Sequence, residues 1–293
     1  MPRNRRNWEL DHAYQTACRM IQNGDVESLK HQLEHYPNLA SWRDCPDGRG
    51  TSCTLLHEAC GSGPMDWHEN APRIAQELIR AGAPINNLPP NEKGETPLHE
   101  AVSVNNIEVA EVLLKAGANP EMTGRFDGTI DTALGYALFY GSKEEIPKFR
   151  INCPELLIQY RAIVYLPFAA AMGDIGQVKR FFRPDHQLQP NAGLADRQKV
   201  LAQAFLFACQ NGQQDICEYL LYRGADVNAQ IDFFHFPSTT GLHLACSQGH
   251  QKDLVQFLLE KGADPTVQDG LYETNAEGWA MFFGQDEVYR LFK

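Results

Sequence analysis

The chain has 293 residues, 43% of them hydrophobic and 22% charged, and a net charge of −11. That balance belongs to a folded protein rather than a disordered one, and no stretch approaches the ~18 apolar residues of a membrane span. The negative charge repels phosphate backbones and disfavours nucleic acid as a partner.

Arg3, Arg5 and Arg6 make the first residues basic, but Trp8-Glu9-Leu10-Asp11-His12 follows at once and leaves no apolar h-region, so a secretory signal is not expected. The eight cysteines are scattered without a Cys-x-x-Cys pair. That usage predicts a reducing, cytoplasmic location.

Further along, one register governs the whole chain. Ala59, Ala101, Ala137, Ala169, Ala208, Ala245 and Ala280 are each followed four residues later by a turn former: Gly63, Asn105, Gly141, Gly173, Gly212, Gly249 and Gly284. An eighth turn, Gly24, has Met20 in place of the alanine. Successive turns lie 39, 42, 36, 32, 39, 37 and 35 residues apart. A small residue and a turn recurring at that period mean one structural unit used about eight times. The predicted boundaries are an extension over 1–13, units over 14–50, 51–93, 94–128, 129–163, 164–199, 200–238 and 239–273, and a cap over 274–293, all in one domain.

The third unit shows the pattern most clearly. Thr96 is placed to cap a helix whose first position is Pro97, where a missing N–H costs nothing. Leu98, Ala101 and Val102 make one apolar stripe, and after the Asn105-Asn106 turn Val109, Val112, Leu113 and Leu114 make another. Gly117 then ends the second helix. Two short antiparallel helices and a loop are predicted.

This unit resembles the ankyrin repeat. The family's Thr-Pro-Leu-His-x-Ala stands intact at Thr96–Ala101, and in degenerate form at Leu55–Ala59 and Gly241–Ala245. Its Leu-Leu-x-x-Gly-Ala-Asp/Asn ending appears at Leu113–Asn119, Leu220–Asp226 and Leu258–Asp264. The resemblance implies an all-α ankyrin solenoid. The units exceed the family's ~33 residues, and the excess sits at Pro64 to Pro72, Lys143 to Pro154 and Pro184 to Asp196. Lengthened hairpin loops are therefore expected, with capping units at both ends.

Several residues invite a chemical reading. His57, His99 and His243 share one repeat position, and in the family this imidazole hydrogen-bonds neighbouring backbone; a structural role is expected. Cys45, Cys53, His57 and Cys60 match no familiar zinc module, and Cys60 shares a packing column with Val102, Leu138, Ala170, Cys209, Cys246 and Met281. No metal and no cofactor are expected. Glu144-Glu145 is a solvated helix face, and no hydrolase or nucleotide-binding motif is present.

In ankyrin solenoids partners meet a concave groove formed by loop tips and the last two residues before each inter-helix turn. By register these are Gln22-Asn23, Gly61-Ser62, Ser103-Val104, Phe139-Tyr140, Ala171-Met172, Gln210-Asn211, Ser247-Gln248 and Phe282-Phe283. The end pairs are mostly polar, whereas Val104, Phe139, Tyr140 and Met172 form an apolar centre with Ser103 and Gln210 on its rim. A polar surround about an apolar centre is the make-up of a binding hot spot; the alternative is that the insert of the fourth unit covers these side chains. Phe233-Phe234-His235-Phe236, in the loop before the seventh unit, is a second apolar cluster, expected to fold back onto the solenoid.

The function expected is non-catalytic recognition of a protein or peptide with a basic or apolar surface, by a monomer. The rival is an enzyme or effector with a cysteine nucleophile on an insert, Cys153 or Cys45 beside a histidine. A thiol and an imidazole within hydrogen-bonding reach in an open pocket would mark it.

Overall fold

The computed structural model describes residues 8–43, 53–61, 69–88, 94–123, 129–140, 153–233, 236–247 and 251–293. These form sixteen α-helices in antiparallel pairs, with one short β-hairpin. The pairs are α1 (Trp8–Gln22) with α2 (Val26–His35), α3 (Leu55–Cys60) with α4 (Ala71–Arg80), α5 (Pro97–Ser103) with α6 (Ile107–Lys115), and α7 (Ala133–Tyr140) with α8 (Cys153–Gln159). Then follow α9 (Leu166–Ala171) with α10 (Ile175–Arg180), α11 (Arg197–Gln210) with α12 (Gln214–Tyr222), α13 (Gly241–Ser247) with α14 (Lys252–Glu260), and α15 (Ala276–Phe282) with α16 (Asp286–Tyr289).

The chain divides into two compact units, residues 1–127 with 131–163 and residues 128–130 with 164–293. Within the first, α1, α3, α5 and α7 pack side by side as an inner layer, and α2, α4, α6 and α8 as an outer one. Within the second, α9, α11, α13 and α15 form the inner layer, while α10 packs on α12 and α14 on α16. These stacked helix pairs are the repeated unit that the period predicts, and they fit the all-α ankyrin solenoid that the resemblance implies. All seven alanines of the column are buried, where their small side chains let helices approach closely.

The turns explain why a glycine or asparagine follows each alanine. Gly24, Asn105, Gly173, Gly212 and Gly284 have φ of 68°, 54°, 77°, 70° and 66°, the left-handed region that these residues enter most easily. Gly63, Gly141 and Gly249 lie outside the described residues. After Gly24, Asn105 and Gly173 the next residue caps the outer helix, whereas Gln213 and Gln285, which follow Gly212 and Gly284, make no such side-chain bond. Asp25, Asn106 and Asp174 accept from the backbone N–H groups of Ser28, Val109 and Gln177 at 3.0, 3.2 and 2.8 Å. At these three turns one left-handed residue and one cap thus reverse the chain.

α11 breaks the pattern in an instructive way. The register puts Gln203 where Thr54, Thr96 and Thr240 stand, and Leu206 where His57, His99 and His243 stand. Without a capping threonine and its histidine, the helix does not start there. It begins at Arg197, where Asp196 accepts from the N–H groups of Gln198 and Lys199 at 3.0 and 3.1 Å. Gln203 is left inside the helix, fully buried, with both amide atoms lacking a hydrogen-bond partner.

The stretch before α13 is a hairpin, β1 (Ile231–Phe233) against β2 (Phe236–Thr239), rather than the loop predicted. Phe236 packs edge-on against Trp279, ring centroids 5.1 Å apart, and so folds back as expected. Phe234 and His235 lie outside the described residues. The indole of Trp279 donates to Asp269 Oδ2 at 3.0 Å, which anchors the same corner. Close by, a Cβ on Gly241 would sit 2.7 Å from Cys209 Sγ and 2.9 Å from a ring carbon of Phe205. Only glycine fits between these groups.

Candidate partner-binding surface

The three histidines are stitches between repeats. In each, a threonine backbone N–H donates to Nδ1, from Thr54 to His57, Thr96 to His99 and Thr240 to His243, at 3.2, 3.2 and 3.3 Å. Nε2 therefore carries the proton, and it donates to the carbonyls of Glu95, Asp131 and Thr274 at 3.0, 3.2 and 3.3 Å. Each of those carbonyls belongs to the following repeat. Burial disfavours the charged ring, lowering the pKa of His57 and His99 to about 4 and that of His243 in the same direction. Both nitrogens are committed to structure, as their shared repeat position predicts.

The thiols face inward. Burial pushes Cys60 well above its usual value, and Cys153 and Cys246 up to about 12. A thiol so shifted supplies almost no thiolate near neutrality, the opposite of what a nucleophile needs. Cys45, the other candidate nucleophile, lies outside the described residues, as does Glu144-Glu145.

The inner row of the first unit carries Ser103, Val104, Phe139 and Tyr140. Val104 ends α5, where its side chain leans on the bare backbone of Gly61; a Cβ there would meet Val104 Cγ2 at 3.1 Å. Ser103 Oγ donates to the Glu100 carbonyl at 2.9 Å, and both Ser103 and Val104 are half-buried. Phe139 keeps only 8% of its surface exposed and stands edge-on to the half-buried Tyr140, centroids 4.8 Å apart. Its ring is a packing group, and Tyr140 is the aromatic side chain that reaches solvent.

Beside them sits a group of carboxylates that sequence reasoning passed over. Glu100 on α5 is hydrogen-bonded to Glu95 and lies near Glu58, and Tyr136 donates from its hydroxyl to Glu95 Oε1 at 3.0 Å. Burial first, then the Glu95 charge and hydrogen bond, then Glu58, raise Glu100 to about 7. Burial and the neighbouring carboxylates thus disfavour a charge on Glu100 near neutrality. Glu58 and Glu100 share one repeat position, each between the histidine and the column alanine, but Glu95 stands outside that register and joins them through packing of successive repeats.

In the second unit the row residues fare differently. Met172 is half-buried at the end of α9. Gln210 keeps 4% of its surface, because Gln251 reaches across and donates from Nε2 to the Gln210 carbonyl at 3.0 Å. The expected rim residue is thus a covered one. Exposure is concentrated instead on α15, where Phe282 is 80% and Met281 68% exposed. Met281 occupies the packing column in which Cys60, Val102, Cys209 and Cys246 are fully buried. The last described repeat therefore presents an apolar surface where a polar cap is expected.

Paired helices in two layers, tied by threonine–histidine turns, define a helical repeat protein. The family model "Ankyrin repeats (3 copies)" matches residues 17–124 and 166–269, more than half of the chain. The protein belongs to the ankyrin repeat family. It is also similar, at 38% identity over 80 residues, to the Arabidopsis thaliana protein named ADP-ribosylation factor GTPase-activating protein AGD2. That alignment spans 27% of this chain and 9% of the plant protein. Ankyrin repeats are protein-interaction scaffolds, and no helix among the described residues is long and apolar enough to cross a membrane.

Proposed function

We propose that this chain is a non-catalytic recognition module, monomeric and cytoplasmic, which binds a protein or peptide along its inner-helix row. In the first unit Ser103, Val104 and Tyr140 supply the contact, with Phe139 holding Tyr140 in place. In the second, taken by itself, Met172 lies in the same register, and Gln210, held under Gln251, is a supporting residue. The partner surface is basic and apolar. The observation that carries this reading is the crowded Glu95–Glu100 pair beside Val104. A lysine or arginine brought there would relieve carboxylate repulsion while its stem covers the valine. The buried, high-pKa thiol of Cys153 favours binding over the cysteine-nucleophile alternative.

Affinity capture from the native host tests it, with the parent chain, Tyr140→Ala and Glu100→Gln as baits, none of which melts below the parent. Proteins held by the parent and lost by both variants are the expected result. A set of captured proteins identical for all three baits would refute the assignment of the row. Phe139→Ala is expected to lower the melt as well as the capture, since its ring is buried, and Gln210→Ala to affect the melt alone.

A further inference from the structure

One region of the second unit carries a charge opposite to that of the chain. Between Asp174 and Asn211 stand Lys179, Arg180, Arg183, Arg197 and Lys199 against only Asp185 and Asp196. Neither acid answers a cation: Asp185 accepts from the N–H of Gln187, and Asp196 caps α11. Among the described residues none of the five cations, nor Arg223, forms an ion pair, whereas Arg73, Arg80, Lys115, Lys252, Lys261, Arg290 and Lys293 each face a glutamate.

Aromatic rings hold two of these charges, Arg223 and Lys179, and backbone carbonyls hold Arg197. The Arg223 guanidinium lies 5.0 Å from the Phe182 ring, 4.9 Å from Tyr219 and 5.9 Å from Tyr222. Its Nε and Nη1 are shielded from solvent and have no hydrogen-bond partner. Lys179 Nζ approaches the Tyr219 ring at 5.7 Å, and Arg197 Nη2 donates to the carbonyls of Arg223 and His186 at 3.4 Å. Tyr222 is 71% exposed beside them. Arg223, Lys179 and Arg197 are thus held together without an ion pair, beside an exposed phenol.

We infer that this outer surface, centred on Arg223 and Tyr222, is a second docking site, which takes an acidic protein segment bearing aromatic or apolar side chains. Charge complementarity selects the anion, and guanidinium groups match carboxylates in paired geometry. The exposed Tyr222 ring selects a partner with groups to stack, which a bare phosphate lacks. A short segment is favoured over nucleic acid or an anionic bilayer, since either would extend onto a surface whose net charge is −11.

The test is fluorescence anisotropy with a labelled peptide of four Glu-Glu-Tyr repeats, compared with four Ser-Ser-Tyr repeats, a single-stranded oligo-dT and phosphatidylserine vesicles. The parent chain is expected to bind the acidic peptide in preference to the other three. The double variant Arg183→Glu/Arg197→Glu should weaken that binding about tenfold or more at an unchanged thermal melt, and Tyr222→Ala severalfold. Should the double variant melt early, Lys179→Glu, exposed on α10, carries the same comparison. Equal binding by parent and charge-reversed chains, or none by the parent, overturns the inference. So does tighter capture of oligo-dT or vesicles, which would assign the patch to a nucleic acid or a bilayer. Glu100→Gln leaves this surface untouched, so the two binding readings stand or fall separately.

Discussion

His99 Nε2 donates to the main-chain carbonyl of Asp131 at 3.2 Å, so a ring that caps its own helix also holds the start of the next repeat. His57 does the same toward Glu95. Neutrality is a condition of both bonds, because protonated Nδ1 would face the threonine N–H with a second donor.

Acid should therefore loosen the first unit. In the unfolded chain each ring takes up its proton near 6.5, in the folded chain only at about 4, so the unfolded state binds more protons between those values. Stability is complete above the unfolded value, falls as pH drops through the window, and levels off below the folded one. Each ring contributes on the order of 3 kcal/mol to the full loss. Glu100 works the other way: raised to about 7 from 4.5, it costs stability as pH rises through that range. The measurement is thus a series of melts from pH 7.5 to 4.5 in Glu100→Gln, where the histidine slope stands alone. Adding His99→Gln should reduce it by about half, since His57 remains, and a slope unchanged by that substitution would contradict the assignment.

At pH 7.5 Glu100→Gln by itself should raise the melting temperature. It removes a carboxylate that burial and Glu95 both disfavour, and leaves a side chain that still hydrogen-bonds. A lower melting temperature would mean that an interaction with the charge outweighs the repulsion.

Gln203→Leu should stabilise the second unit. The amide is buried without a partner, and replacing such a group with an apolar one of similar size gains about 1 kcal/mol or more. Chemical denaturation reads this as a higher midpoint at constant slope. A destabilised variant would show that the amide holds a bridging water.

Ala137→Leu and Ala208→Leu should each cost about 1–3 kcal/mol, since both sites are closed on all sides and overpacking forces the helices apart. Glu111→Gln, whose carboxylate pairs with Lys115 on the surface, should change little. Leu variants that melt like the parent would mean that the column lies elsewhere.

Much of this fold is visible in residue spacing because the repeats solve the same local problem with one small residue and one left-handed turn, to which Asp25, Asn106 and Asp174 add a cap. Asn105 and Asn106 announce their turn as clearly as Gly173 and Asp174 do. The early start of α11 is signalled only by what is missing at Gln203 and Leu206, and the hairpin at Ile231–Thr239 lies where no repeat rule applies. The binding row is legible in position but not in exposure. Register places Phe139, Gln210 and Phe282 alike, yet their exposure is decided by neighbours distant in sequence, such as Gln251 over Gln210. The Glu58, Glu95 and Glu100 carboxylates, and the aromatic rings around Arg223, meet only through packing of successive repeats.

Gly241 limits how this chain can be redesigned. It stands where the motif carries proline, as at Pro97, and a designer averaging the repeats would restore that proline in the seventh. The equivalent neighbours below Pro97 are Leu56 and Cys60, whereas Gly241 has Phe205 and Cys209 beneath it, too close for even a methyl group. Gly241→Pro requires both Phe205 and Cys209 to give way, so a proline there cannot be introduced alone, and repeats of this protein are not interchangeable modules.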